Sequence, residues 1–222
     1  MIDTGSRYEI LPSFLLGFHG TDQLTAEEVL AGTKHLSASQ NEYDWLGHGI
    51  YFWEYSPLRA YQFAQEKFRW LGRNESVAVV GAVINPGLCL NLLDASGLKH
   101  LETGYQAMLT GRGGPEFLPK NGVGKERWNR RLDCAVINTL HQVRALTHST
   151  KWQKANAGQQ ALQPFDSVRG AFWEGEPVRV LRSLTSATSP RHYRCRSRRR
   201  KLPAYSSWSA AIASITRWLH RE

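Results

Sequence analysis

The sequence of 222 residues contains few cysteines and no long apolar run. Its three cysteines, Cys89, Cys134 and Cys195, are far apart and form no C-x-x-C pair, so neither a disulfide framework nor a zinc site is predicted. No apolar stretch approaches the roughly 20 residues that a transmembrane helix needs. The N-terminal residues MIDTGSRYEI lack the basic and apolar regions of a secretory signal. These absences predict a cytoplasmic protein with no membrane segment and no bound metal.

Acidic residues are almost absent from the C-terminal region. Residues 178–222 contain eleven Lys or Arg and one acid, which leaves 17 basic and 18 acidic residues in 1–177. The formal net charge of +9 therefore originates in the last 45 residues. A composition shift of this kind marks a boundary, and we expect a domain over 1–177 followed by a basic tail over 178–222.

The tail supports two hypotheses. Its most basic stretch, residues 192–201, reads HYRCRSRRRK, and the region as a whole shows no alternating strand pattern. One hypothesis is a nucleic-acid-binding arm. The other is that residues after about Pro177 are translated from a shifted reading frame, which would leave the preceding domain without its last strands and the tail disordered. Sequencing the coding DNA and translating its other two frames distinguishes them.

The body of the chain alternates predicted strands and helices. Apolar runs predict strands over 14–18, 49–53, 77–84, 88–93 and 165–173, and helices are predicted over 25–31, 57–71, 95–109 and 132–146. A Thr-x-x-Glu capping box at Thr25 opens the first helix, and proline at the first position opens the second. Residues 110–130 are predicted to form a long loop, and 148–164 a linker. The pattern predicts the α+β class.

Two motifs carry the chemistry. Tyr43–Glu54 reads YDWLGHGIYFWE, with Gly47 and Gly49 on either side of a histidine before a dense aromatic run. Glycine at such a position indicates a strand that begins where another backbone or a flat ligand approaches closely. Upstream, an apolar run leads into His19-Gly20-Thr21, and His19 precedes Tyr51 by 32 residues.

In this order and spacing the motifs resemble those of ADP-ribosyltransferases of the diphtheria-toxin and poly(ADP-ribose) polymerase type. The motif sequence YDWLGHGIYFWE resembles that of a bacterial, toxin-type branch of that superfamily. The resemblance has motif support over about residues 14–64 and extends more loosely to 177. It implies a split mixed and antiparallel β-sheet core with flanking helices over 1–177. It also implies NAD as co-substrate, with no metal.

The resemblance implies roles for five residues of the two motifs. His19 takes the position that hydrogen-bonds a ribose hydroxyl of NAD, and Gly20 the position whose backbone holds the nicotinamide carboxamide. Thr21 matches the small hydroxyl residue that follows, and Gly49 the glycine that enters the second strand. Tyr51 takes the aromatic position that stacks on the nicotinamide. A loop histidine with satisfied hydrogen bonds and an ordinary core aromatic are the alternatives for His19 and Tyr51.

The chain departs from the polymerases on the helix after the second motif. Where they carry a serine that contacts the carboxamide, this chain has Arg59. Where they carry a second stacking tyrosine, it has Gln62, with Tyr61 and Phe63 on either side. We therefore name Arg59, Tyr61 and Phe63 as candidate NAD-binding residues of the pocket's rear wall.

The catalytic acid has the weakest signal. Glu174 and Glu176 form a Glu-x-Glu pair before Pro177, similar to the pair of another ADP-ribosyltransferase clade whose first motif differs. A solvated turn is the alternative explanation. Glu174 and Glu176 are named as candidate catalytic residues beside His19 and Tyr51.

These observations favour a mono-ADP-ribosyltransferase, a bacterial toxin or defence enzyme that transfers ADP-ribose from NAD to a macromolecular acceptor and releases nicotinamide. The acceptor is a protein or a nucleic acid, and an antitoxin partner is consistent with the toxin-type branch. Two alternatives stay open. One is a nucleic-acid-binding protein with a basic tail and a degenerate, inactive NAD-binding fold. The other is an inactive transferase that lacks its last strands and its acid.

Overall fold

The computed structural model describes residues 14–123, 129–172, 179–185 and 193–195. These residues form strands β1 to β7 and helices α1 to α5. In chain order they are β1 Leu15–Asp22, α1 Gln23–Ala31, β2 Gly49–Glu54, α2 Pro57–Trp70, β3 Val77–Ile84, β4 Cys89–Asn91, α3 Ala95–Arg112, α4 Arg131–His148, α5 Thr150–Ala155, β5 Ser167–Phe172, β6 Arg179–Thr185 and β7 Tyr193–Cys195. A single 3-10 turn, Pro115–Phe117, follows α3. The mixture of sheets and flanking helices confirms the α+β class.

The described residues divide into two compact units. The smaller unit contains residues 15–36, 52–84 and 193–195, and the larger unit contains residue 14 together with 37–51, 85–123, 129–172 and 179–185. Strand β2 belongs to both, because the division falls between Tyr51 and Phe52. Each unit is therefore assembled from segments that are far apart in the sequence.

The smaller unit contains an antiparallel sheet whose central strand is β1. Along its whole length β1 pairs with β3, from Leu15 opposite Ile84 to Asp22 opposite Val77. On its other edge β1 pairs with β2, with Phe18 opposite Trp53. The far edge of β3 pairs with β7. Strand β3 follows its sequence prediction from end to end.

Helix α2 covers one face of this sheet. Its N-terminus has Pro57 at the first helical position, as predicted. Tyr61, Ala64 and Phe68 recur at spacings of three and four and pack with Val77 in a buried cluster. This spacing brings apolar side chains onto one face of a helix, and that face packs on the sheet.

The larger unit contains a parallel strand pair beside two packed helices. Strand β4 runs parallel to β5, and β5 pairs antiparallel with β6 over six residues. Helices α3 and α4 approach closely at Gly104, where a Cβ atom would lie 2.9 Å from Leu140 Cβ. Met108, Leu118 and Val136 form a buried cluster between these helices and the 3-10 turn.

Several boundaries differ from the sequence predictions. Strand β1 extends to Asp22, since its pairing with β3 continues through the His-Gly-Thr motif. The capping box at Thr25 was wrong: Asp22 is the N-cap of α1, and its carboxylate accepts a hydrogen bond from the Thr25 amide at 2.8 Å. Helix α5 forms within the predicted linker, where the Ser149 side chain caps it.

Two further differences concern the basic tail. Residues 179–185 and 193–195 form β6 and β7, although the sequence pattern predicted no strand after residue 177. Backbone pairing with β5 and β3 defines these strands, whereas the pattern search depended on alternating apolar side chains. None of the helices in the described part of the chain is both long and apolar enough to cross a bilayer.

Candidate functional site

In the smaller unit, His19 lies in the middle of β1 opposite Val80. Its imidazole is half-buried and lies 5.8 Å from the Phe52 ring, centroid to centroid, with 58° between the ring planes. Phe52 itself is fully buried. His19 therefore lies within the strand and packs on an aromatic ring, whereas the sequence predicted that the strand ends before it.

Gly20 faces α2. A Cβ atom at this position would overlap the Ala60 carbonyl oxygen and lie 2.7 Å from Ala64 Cβ. Close helix packing therefore requires glycine here whether or not a ligand binds. The sequence did not reveal this packing requirement. It is independent of the backbone role in NAD binding that the resemblance implies for Gly20.

Thr21 is coupled to the start of α1. Its hydroxyl donates a long hydrogen bond of 3.5 Å to Asp22. Burial raises the pKa of the Asp22 carboxyl, but hydrogen bonds from Thr25 and the nearby charge of Arg73 outweigh that effect and lower it. Asp22 is thus held in its ionised form as the helix cap.

The three candidate residues on α2 have different environments. The Arg59 guanidinium is buried, at 4.9 Å from the Trp53 ring centroid and 5.6 Å from that of Phe63. Its Nη1 also contacts both carboxylate oxygens of Glu66 at 3.3 Å. Cation–π contact with two rings is a stabilising arrangement for a buried guanidinium. This geometry favours a packing role for Arg59.

Tyr61 and Phe63 do not share one surface. Tyr61 is buried in the core cluster of the smaller unit, with Phe68 and Val77. Phe63 packs edge-on against Trp53 at 5.9 Å and keeps 44% of its surface exposed. Of the two aromatics expected to replace the second stacking tyrosine, Phe63 is the more accessible to a ligand.

Tyr51 lies in the larger unit and is held by its hydroxyl. The hydroxyl donates a hydrogen bond of 2.6 Å to the Gly47 carbonyl and accepts one of 3.0 Å from the Leu46 amide. Gly49 pairs through both its amide and its carbonyl with Ser39. The second motif is therefore a tight turn whose backbone fixes the end of the Tyr51 ring.

The same turn is attached to α4. The Asn138 side-chain oxygen accepts a hydrogen bond of 2.9 Å from the His48 amide. Gly47, with φ of +74°, packs against α4 so closely that a Cβ atom would lie 2.8 Å from both Asn138 and Ile137. The left-handed backbone and the lack of space both require glycine. Nothing in the sequence motif identified Asn138, which is 90 residues downstream of His48.

Two buried polar groups lie beside this turn. Burial raises the pKa of the Asp44 carboxyl, although Ser39 and Asn41 donate hydrogen bonds to it. The Cys134 thiol donates to the Asn41 carbonyl at 3.4 Å. Burial, with the nearby charge of Asp44, raises its pKa to about 11. Such a thiol is a poor nucleophile, so Cys134 serves structure.

The candidate acids Glu174 and Glu176 lie outside the described residues. Within those residues, the buried carboxylates are Asp44 in the larger unit and Glu54 in the smaller unit. Neither was selected from the sequence, although Glu54 directly follows the aromatic run of β2 and Asp44 lies within the second motif. Across the described ranges, no group of three His, Cys, Asp or Glu side chains is arranged to hold a metal ion.

Comparison with known proteins finds no match to this chain among family models, curated proteins or solved structures. The motifs and their geometry are therefore the observations from which a function is inferred.

Proposed function

We propose that the chain is a mono-ADP-ribosyltransferase that uses NAD as its co-substrate. The observation that carries the proposal is the pairing of the two motif strands. Strands β1 and β2 are antiparallel neighbours, with Phe18 opposite Trp53. His19 follows Phe18, and Tyr51 comes two residues before Trp53. The proposal includes the finer fold implied by the resemblance, the split sheet of that superfamily.

The residue chemistry suits the reaction. Cleavage of the bond between nicotinamide and ribose develops positive charge on the sugar, as in glycoside hydrolysis. A neutral imidazole can donate one hydrogen bond and accept another, so His19 would orient a ribose hydroxyl. The Tyr51 ring would stack on the nicotinamide, and its anchored hydroxyl would hold the far end of the ring in one position. Phe63 is an exposed aromatic on α2, so it stays a proposed NAD-binding residue.

Charge stabilisation requires an acid, and Glu174 and Glu176 are the proposed candidates. A carboxylate near the anomeric carbon stabilises the oxocarbenium-like transition state electrostatically. We propose transfer of a single ADP-ribose unit, because the chain lacks a recognisable complete glutamate constellation for elongation. The acceptor would be a macromolecule of the host or of a competitor, which fits a bacterial toxin or defence enzyme, with an antitoxin as its partner.

The test uses the full chain and NAD that carries one label on nicotinamide and another on adenine. Release of the first label measures cleavage, and transfer of the second to a cell fraction identifies the class of acceptor. We expect His19→Ala to lower kcat/KM for NAD at least about tenfold, the loss of one oriented hydrogen bond. His35→Ala, an exposed histidine of the same unit, is the matched control. No release of nicotinamide with any fraction would refute the proposal.

The second candidate is nucleic-acid binding through the basic tail, which the eleven basic residues of 178–222 favour. Deleting the whole tail would remove β6 and β7 together with the charge. Neutralising Arg198, Arg199, Arg200 and Lys201 to glutamine leaves those strands in place. If the tail binds nucleic acid, these changes reduce the slope of log K against log salt by about 0.9 for each phosphate that the protein no longer neutralises. An unchanged slope would exclude this role for them.

A further inference from the structure

The attachment of the second motif to α4 suggests a role for a residue outside both motifs. We propose that Asn138 is a positioning residue for Tyr51: it fixes the turn whose backbone holds the Tyr51 hydroxyl, and so sets the position of the ring that stacks on nicotinamide. This inference rests on the proposed function, because only a bound nicotinamide makes the position of the ring matter for activity.

The first step runs from the ring to the turn. A phenolic hydroxyl can donate one hydrogen bond and accept others. In Tyr51 the donor goes to the Gly47 carbonyl at 2.6 Å and an acceptor site is used by the Leu46 amide at 3.0 Å. Both partners are backbone groups of adjacent residues, so the hydroxyl cannot move unless the turn moves.

The second step runs from the turn to α4. Asn138 accepts the hydrogen bond of the His48 amide, the residue directly after Gly47. At Gly47 the backbone lies against Asn138 and Ile137 with no room for a methyl group. The turn is thus fixed by one hydrogen bond and by direct packing, and Asn138 takes part in both.

The third step concerns what holds Asn138 and the start of the loop. The Asn138 amide nitrogen donates to Cys134 Sγ at 3.4 Å, one turn back on α4. The same sulfur contacts the Asn41 carbonyl, and Asp44 accepts hydrogen bonds from Ser39 and Asn41. Residues 39–49 are therefore anchored to α4 at two points, and the Asn138 side chain is oriented by a buried neighbour.

The anchor matters for catalysis because a stacking ring must lie at a defined position over the nicotinamide. Small displacements of positioning groups reduce rates strongly. Removing the Asn138 acceptor would leave the half-buried His48 amide without this partner and loosen the turn. The far end of the Tyr51 ring would then move more freely, so binding of NAD would weaken.

The experiment compares three variants of the full chain. Asn138→Leu removes the acceptor at similar volume, Asn138→Asp retains an acceptor oxygen in the same position, and Gln142→Leu changes an exposed residue of the same helix. Amide hydrogen exchange at His48 reports on the turn without reference to activity. We expect exchange about tenfold faster in Asn138→Leu, the ratio that corresponds to about 1.4 kcal/mol, and rates near wild type in the other two.

Kinetics then test the link to NAD. We expect Asn138→Leu to raise KM for NAD by about tenfold and to change kcat less. In Asn138→Asp, KM should lie close to the wild-type value. A double-mutant cycle with Tyr51→Phe, which removes only the hydroxyl, tests the route. If Asn138 acts through that hydroxyl, KM for NAD in the double variant is no higher than in the more impaired of the two single variants. If the two increases in KM multiply, the proposal is overturned.

The outcomes separate the two proposals. If wild-type protein releases no nicotinamide, the proposed function fails and the positioning role fails with it. If the wild type is active and exchange at His48 accelerates while KM stays unchanged, the function stands and Asn138 is only structural. Thermal unfolding of each variant identifies one that does not fold. If Asn138→Leu does not fold, Asn138→Ala, which also removes the acceptor, replaces it in the cycle with Tyr51→Phe, and additive effects in that cycle refute the role.

Discussion

His141 should make the stability of this protein depend on pH. The residue lies on α4, with its ring edge-on to Phe165 at 6.3 Å. Its Nε2 atom is buried and has no hydrogen-bond partner among the described residues. Burial, together with the charge of Arg144 one turn further along the helix, lowers its pKa from 6.5 to about 4. The folded protein therefore holds this imidazole neutral.

The direction of the effect follows from proton binding. Between pH 6.5 and about pH 4 the unfolded chain binds a proton at His141 and the folded chain does not, so stability falls as the pH falls through this window. Above pH 6.5 the imidazole is neutral in both states, so the free energy of unfolding no longer changes with pH through His141. With 1.36 kcal/mol per pKa unit, the loss between pH 7.5 and pH 5 is about 2 kcal/mol.

The groups that face His141 explain why the folded protein disfavours its protonation. Arg144 lies with its guanidinium carbon 3.8 Å from the Phe165 ring centroid, and its Nε donates to the Gln163 carbonyl at 2.6 Å. His100, from α3, contacts the same ring edge-on at 5.4 Å. A proton on His141 would therefore bring a second positive charge beside a buried, immobilised guanidinium, which like-charge repulsion disfavours.

Denaturant unfolding of wild type and His141→Gln from pH 5 to pH 7.5 measures the effect. As the pH is lowered from 7.5 to 5, the free energy of unfolding of wild type should fall by about 2 kcal/mol more than that of the variant, since the titration of all other groups is common to both. A proton NMR titration of the His141 ring should stay flat down to pH 5. A difference between the two proteins that is independent of pH would refute the assignment.

Three other predictions follow from the packing. Gly20→Ala should destabilise the protein by about 1–3 kcal/mol, since the methyl group has no space against α2, whereas Gly111→Ala, at an open position of α3, should stabilise it by about 0.5–1 kcal/mol; equal denaturation midpoints would contradict this. Arg59→Ala should lower the melting temperature far more than Glu66→Gln, because the arginine is buried and the glutamate side chain is 57% exposed. At pH 8, alkylation of Cys134 followed by mass spectrometry should proceed only as fast as the protein opens, and rapid labelling of the native state would show that the thiol is accessible.

The sequence predicted most of the regular structure and fewer of the contacts. Strand β3 and helix α4 were recognisable because hydrophobic periodicity and turn residues agree at both ends. The cap of α1 was assigned to Thr25, since local propensity cannot show that β1 continues to Asp22 through pairing with β3. Strand β6 was missed for a similar reason: its pairing with β5 depends on backbone partners, which leave little trace in the pattern.

For the candidate site, the sequence indicated the motif residues but not what holds them. His19 and Tyr51 could be selected from the sequences of their motifs and from the spacing between them. Asn138 does not, because its role depends on a hydrogen bond across 90 positions of sequence. Arg59 was read as a ligand contact from its position alone, whereas its burial beneath Trp53 could be known only once α2 was placed on the sheet.

The late arrival of β7 has a consequence for biosynthesis. Strand β3 is complete once the ribosome has translated Ile84, yet the strand that pairs with the outer edge of its last three residues comes from residues 193–195. For more than a hundred codons the nascent chain would carry these three residues without β7, and an open edge is a template for association with other chains. Premature termination anywhere in this interval would release polypeptides prone to aggregate, so degradation of such fragments would matter to the producing cell.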